Sequence, residues 1–372
     1  MKKILFMILP LIISCQNGKN NVELTAINIE QGINSKKQIS FSDIAKKIEF
    51  IVLETGNNQT MIGEICDLKE SDNRFYINDM QGIKSFDKTG KYLGDVGIEG
   101  RGPGEYSGYI SDFTVNDNND DVYLCVNNNI VCYDKFNNLV KDTTSSCSQI
   151  TFFNKKIIGL TSPKREAKYQ NFKVGDIHNL ATIYSDKLEY IKEIKGKYKG
   201  ENSISAFQVL SNNGENVLIK EEFSDTVFII TPDIIMKPRY ILNMGNYLFP
   251  KELYTFDAID KWSDFYHTIN ILDAKTYSVI IIQNGLMGEI RYLLFDKTAS
   301  HCFTPTGSDG KIGFYIDDIK FTPVYTHKNR IVGYMTATDI ASGSNNIINT
   351  KLQTIAKHIT DESNPILVIL TL

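Results

Sequence analysis

The chain has 372 residues, 40 lysines and arginines against 44 aspartates and glutamates, and a formal charge of −4. That length fits one large all-β domain or two ordinary domains. Mild acidity without a basic tract argues against nucleic acid as a partner.

The N-terminus reads MKKILFMILPLIISCQNGKNN. Lys2 and Lys3 form a positive head. The apolar run from Ile4 to Ile13 has the length of a signal-peptide core and about half that of a spanning helix. Ile12-Ile13-Ser14-Cys15 then has the order of a bacterial lipobox: aliphatic residues, a small residue that fits the peptidase, and a cysteine whose thiol takes a diacylglyceryl group. Each buried methylene contributes about 0.8 kcal/mol, so two or three acyl chains hold a protein stably. The expectation is a signal peptide over 1–14, a lipid-anchored tether and lead-in over 15–46, and an outer-membrane lipoprotein of a Gram-negative envelope. Cleavage removes two lysines and no acids, which moves the formal charge to −6.

Cys66, Cys125, Cys132, Cys147 and Cys302 remain. An odd count without CxxC fits neither a disulfide framework nor a zinc site. From residue 47 onward, short β-branched and aromatic runs alternate with Asn, Asp, Gly and Lys turns, which is the pattern of strands and hairpins. Helical periodicity appears only near 250–262 and 347–358.

A shift of 47 residues aligns two segments without a gap. Phe75-Tyr76-Ile77 falls on Val122-Tyr123-Leu124, and Phe86-Asp87-Lys88 on Tyr133-Asp134-Lys135. Phe295-Asp296-Lys297 echoes the same motif, and weaker echoes end near Asp186 and Asp233. The Asp after the aromatic suits the end of a strand, where its carboxylate accepts backbone N–H bonds of the following turn. A period in the forties with about four strands per unit indicates a β-propeller. The units predict six four-stranded antiparallel blades, near 60–106, 107–148, 149–198, 201–247, 263–306 and 312–342. The strand-like segments 48–54 and 366–372, one or both, are expected to complete the last blade and close the ring.

Phe86-Asp87-Lys88-Thr89-Gly90-Lys91-Tyr92-Leu93, followed by Gly100-Arg101-Gly102-Pro103-Gly104-Glu105-Tyr106, resembles the six-bladed propeller lipoproteins of Bacteroidetes, relatives of NHL-repeat propellers. The Ile62-Gly63-Glu64-Ile65 entry and the Glu362-Ser363-Asn364-Pro365 ending are similar to theirs. Residues 164–199 match poorly. The resemblance implies a propeller in the cell envelope and brings no agreed activity.

The Gly-rich loop lacks the GK[ST] of a P-loop and the strand–GxGxxG–helix setting of a dinucleotide site. It reads either as a connector stiffened by Pro103 or as a ligand rim formed by Arg101, Glu105 and Tyr106. Trp262, Tyr266 and His267 form an aromatic patch suited to stacking on a sugar, or to core packing. The run Asn116–Asp121 offers oxygen ligands but lacks the glycine and distal glutamate of an EF-hand, so calcium has no support. No cofactor, metal site or catalytic nucleophile is expected. In the hairpin after Cys125, an Asn128-Asn129 turn would place Cys125 opposite Cys132; a three-residue turn would place it opposite Val131. The leading functional reading is a lipid-anchored binding or scaffold module whose propeller face holds a protein, glycan or peptide. The alternatives are a propeller enzyme of lactonase, lyase or dehydrogenase type, with a site at the central channel, and an accessory or sensor lipoprotein of polysaccharide uptake.

Overall fold

The computed structural model describes residues 24–161, 177–199, 208–253, 261–285, 288–343 and 347–372. They form six sheets, each an up-and-down blade. The innermost strands touch in cyclic order, the first blade meeting the second and the sixth meeting the first, so the ring is closed. Blades one to five occupy 67–96, 110–144, 147–199, 209–243 and 266–306. We call the face where the innermost strands begin the entry face and the opposite one the exit face.

The repeat seen in sequence is the middle of the blade. Arg74–Asn78 pairs with Ile83–Asp87 in blade one as Val122–Val126 pairs with Asn129–Tyr133 in blade two. The aspartates behave as their position requires. Asp87 Oδ1 accepts from the Thr89 and Lys91 N–H groups at 2.8 and 3.0 Å. Asp134 does the same for Phe136 and Asn138, both at 2.9 Å. In blades three and four hydroxyls take this place: Ser185 Oγ accepts from Glu189 N at 3.2 Å and Thr231 Oγ1 from Ile235 N at 3.3 Å. The sequence echo is weak there because the donor turn survives with a different acceptor.

The sixth blade is assembled from both ends of the chain. The short strand Phe314–Ile316 pairs with the start of the blade's long inner strand, Ile319–His327, which pairs with Arg330–Met335, then with Ile366–Thr371, then with Lys47–Val52 on the outside. Both terminal segments therefore complete it, and the span 312–342 holds only its inner half. The helices Ala337–Gly343 and Thr350–Ala356 lie between its second and third strands. The expected helix near 250–262 is represented by the 3-10 turn Lys251–Leu253, and 254–260 lie outside the described residues.

The lead-in wraps the rim. Thr25–Asn28 adds in parallel to the outer strand of blade four, and Lys36–Gln38 to that of blade five, so these blades have five strands rather than four. A short helix, Phe41–Ile44, starts with a Ser40–Asp43 capping box and buries Phe41, which stacks on Phe314 at 4.9 Å.

The core is divided among the blade interfaces. Tyr76 and Ile83 of blade one pack on Phe113 and Leu124 of blade two. Cys125 and Cys132 of blade two meet Cys147 and Phe152 of blade three. Equivalent clusters fill the remaining junctions, including Tyr325 and Val332 of blade six against Phe75 of blade one. No blade buries both faces alone, which is why closure matters.

The blade-two hairpin differs by one residue from either expected turn. Val126 pairs with Asn129, Cys125 with Ile130 and Tyr123 with Cys132. The turn is Asn127-Asn128, with Asn127 at φ 52°. Its side chain donates to the Ser107 carbonyl at 2.7 Å, a tertiary contact that fixes the turn early. Cys125 and Cys132 share a face as diagonal neighbours, and the Cys125 thiol donates to the Cys147 carbonyl at 3.1 Å.

Candidate functional site

In blades one to five the innermost strand has no partner on its channel side, so its N–H groups need acceptors there. Polar side chains at the start of these strands supply them. Asp67 Oδ1 accepts from Leu68 N at 2.7 Å, Asp112 Oδ1 from Phe113 N at 2.8 Å and Asn270 Oδ1 from Ile271 N at 2.8 Å. The second oxygen of Asp112 reaches across the interface to Ile150 N at 2.7 Å. A β-bulge at the same end of the strand recurs in blades two, three, five and six.

The result is a central cavity of about 580 Å³ lined by hydrogen-bonding groups, among them Lys69, Asp112, Gln149, Asn212 and Asn270. Lys69 is bonded to Asp67 at 2.8 Å. Burial alone would lower its pKa, but Asp67 and Asp112 together raise it. Burial pushes Asp112 up to about 7; Lys69 opposes the shift and Asp67 adds to it.

The exit mouth is crossed by the turn after the innermost strand of blade six. Lys328 N donates to the Asn213 carbonyl of blade four at 3.0 Å. Lys328 Nζ lies 3.6 Å from Asp72 of blade one, and His327 Nε2 lies 3.8 Å from Asp117 of blade two. One turn thus spans from blade four to blades one and two across the exit mouth. Burial holds Asp117 up near 6 and His327 down near 4.

Both residue groups singled out in the sequence stand on the entry side, at blades one–two and four–five, nearly opposite each other in ring order. In the first, Tyr106 is buried among Tyr76, Val96 and Tyr133. Glu105 accepts from the Gly102 N–H at 2.6 Å and closes its own loop, while Arg101 is exposed. In the second, Trp262 is 1% exposed, donates to the Leu253 carbonyl at 2.7 Å and packs edge-on to Phe249. Tyr266 and His267 are buried as well, and burial lowers the His267 pKa to about 3. The Asn116–Asp121 run bonds within itself, Asn118 N to Asn116 Oδ1 and Asp121 N to Asn119 Oδ1.

One titratable cluster escaped the sequence because three blades build it. His178 of blade three lies 3.8 Å from Glu221 of blade four, and Lys220 and Glu222 flank that glutamate. His267 of blade five feels the Lys220 charge. Burial lowers Lys220 to about 8, against the pull of Glu222, Asp225 and Glu221. Among the described residues, no three His, Cys, Asp or Glu side chains converge to hold a metal ion.

A closed six-bladed propeller with a polar central channel, its exit mouth crossed by one turn, is the class these features define. The chain belongs to the DUF4934 family, described as a domain of unknown function, whose family model matches residues 24–371. No curated protein matches it. Among solved structures it is similar to a "putative exported protein" of Bacteroides fragilis at 15% identity and TM-score 0.64, covering 93% of this chain and 99% of that one. It is also similar to a DUF4221-family member from Bacteroides vulgatus at 10% identity and TM-score 0.52, covering 88% and 96%. At these identities the likeness is one of fold. Among the described residues, no helix is long and apolar enough to cross a membrane.

Proposed function

We propose that this chain is a lipid-anchored binding module of the bacterial envelope, and that its entry face and central channel receive a polar ligand, a glycan or an extended peptide. The observation that carries the reading is the channel itself: a cavity of about 580 Å³ lined by amides and charged groups, with the Lys328 turn crossing its exit mouth. Neutral amides such as Gln149, Asn212 and Asn270 suit hydroxyl and peptide groups, and a rigid ring positions them at no conformational cost on binding. Arg101, exposed near Ile98 and Tyr109 at the entry rim, suits the flanking part of such a ligand.

The test is glycan-array and peptide-library binding of the lipidated protein beside a Gln149→Trp variant that fills the channel. Loss of binding in a variant that melts like the parent supports the channel. Undiminished binding by the filled channel sinks it. Lipidation at Cys15 is tested separately: Cys15→Ala should accumulate as an uncleaved precursor.

A second reading, a propeller enzyme, is favoured by one feature only, the buried Lys220 with a depressed pKa beside Glu221, Glu222 and His178. A Lys220→Met variant that binds ligand normally but loses turnover would select it.

A further inference from the structure

The outer wall of blades two to four at the exit side carries apolar side chains that nothing in the fold covers. Phe136 is 73% exposed, Val140 60%, Tyr190 62% and Ile235 52%, with Leu139 and Ile191 beside them. These residues form one surface. The Tyr123 hydroxyl of blade two donates to the Asp186 carbonyl of blade three at 2.8 Å, and Lys141 reaches Glu189 at 4.0 Å. Blade three in turn holds the exit turn of blade four: Asn154 Nδ2 donates to the Pro232 carbonyl at 3.2 Å and Lys192 Nζ to the Ile234 carbonyl at 3.1 Å. Exposed apolar patches of this kind mark interaction surfaces.

The direction of the chain says what covers this one. The outer strand of a blade runs from the exit side to the entry side, and Thr25–Asn28 lies parallel to the outer strand of blade four. The chain therefore joins the propeller at the exit rim of blade four, where Leu24 is 48% exposed. Leu24 lies nine positions after Cys15. At no more than about 3.6 Å per residue that span reaches about 32 Å at most. We infer that the exit rim of blades two to four is the membrane-facing surface of the protein, dipping Phe136, Val140, Tyr190 and Ile235 into the lipid interface and turning the entry face away from the bilayer. This rests on the lipid-anchor reading.

Aromatic and aliphatic side chains on a rigid wall suit the headgroup–acyl boundary, and one acyl signal gains from a second contact. Lys135, Lys141, Lys187, Lys192, Lys237 and Arg239 adjoin the patch, against Asp134, Asp186, Glu189 and Asp233. The contact is apolar-led with a modest basic surplus, so salt should weaken it only in part and leave the apolar contribution in place.

The experiment reconstitutes the lipidated protein into vesicles of phosphatidylethanolamine and phosphatidylglycerol bearing brominated acyl chains. Phe136→Trp and Tyr190→Trp report on the wall, Tyr109→Trp reports on the entry face, and the buried Trp262 gives a constant background. Insertion should blue-shift the tryptophans at 136 and 190 and bromine should quench them, with the one at 109 unaffected, at low and high salt alike. Equal quenching at all three positions, or quenching at 109 alone, overturns the orientation. Mass spectrometry of the N-terminal peptide reads acylation independently. An acylated protein with no quenching at 136 and 190 sinks the wall and spares the anchor. An unacylated protein sinks the anchor, and the same tryptophans, with protein added from solution, then decide the wall alone.

Discussion

Arg330 of the last blade donates to the carboxylate of Glu70 in the first, across 260 residues of sequence, and the other Glu70 oxygen accepts from Lys88 at 2.8 Å. Glu70 is almost fully buried, while Arg330 is partly exposed. The pair bolts the ring shut at the exit mouth, beside the Lys328 turn.

Arg330→Ala should cost about 2–3 kcal/mol, because breaking a buried pair leaves a carboxylate short of partners and the exposure of the arginine tempers the loss. Arg330→Leu with Glu70→Leu should restore part of it. Urea denaturation of the single and double variants measures both. A double variant no better than the sum of the singles would show that the two residues do not act as a pair.

Asn364 closes the ring at the entry side. Its Nδ2 donates to the Glu54 and Thr60 carbonyls at 2.7 and 2.8 Å, and its Oδ1 accepts from Ile62 N at 2.8 Å. One buried amide thus ties the lead into the third strand of blade six to the segment that enters blade one. Asn364→Ala leaves two buried backbone groups, Ile62 N–H and the Thr60 carbonyl, unsatisfied at about 1–3 kcal/mol each before water or relaxation compensates, while water can reach the Glu54 carbonyl. We expect a loss of about 3 kcal/mol and a lower melting temperature, with blades two and three retaining their amide-exchange protection longest.

Asp112 makes stability depend on pH. Its folded pKa of about 7 lies above the ordinary carboxylate value, so the folded state holds the proton longer than the unfolded one. The contribution is fully present below about pH 4 and is lost as pH rises toward 7. His327, held near 4 when folded, acts in the opposite sense below about 6.5. The difference between variant and parent isolates Asp112. Asp112→Asn surrenders the Ile150 bond at every pH, but its deficit should shrink between pH 4 and 7 in paired chemical denaturations. A deficit constant with pH would show that Asp112 titrates in its ordinary range.

The architecture was legible because it repeats. The aromatic-Asp motif at Phe86-Asp87 and Tyr133-Asp134 marks the same turn twice, and period with strand content leaves little besides a propeller. The terminal strands were legible as apolar segments, but not the order in which Ile366–Thr371 and Lys47–Val52 enter blade six, which long-range pairing decides. The parallel strands at 25–28 and 36–38 were not legible; TAIN and KKQ are too short and polar to stand out, and blades four and five select them. The channel lining hides for a related reason. Asp67, Asp112 and Asn270 each precede an apolar residue, but only the closed ring shows that the N–H beside each one faces the channel.

Asn127 shows how one side chain can overrule a hairpin rule. Asn128-Asn129 and Asn127-Asn128 are equally good turns by composition. The choice falls on the earlier one because Asn127 adopts φ 52° and donates to the Ser107 carbonyl at 2.7 Å. Gly108, at φ 102°, lies so close that a Cβ there would sit 2.2 Å from Asn127 Nδ2. The contact links the blade-two hairpin to the loop that carries Arg101 and Glu105. Three substitutions separate the two roles. Asn127→Gly keeps the backbone conformation and loses the bond, at about 0.5–1.5 kcal/mol. Asn127→Asp keeps the conformation but sets a carboxylate against the carbonyl, which should cost more at neutral pH and recover on acidification. Asn127→Val loses the bond and adds left-handed strain of about 1–3 kcal/mol, the largest cost of the three. Thermal melts at pH 7 and pH 4 rank them. An Asp variant as stable as the Gly variant at pH 7 would show that the hydrogen bond to Ser107 does not hold the turn.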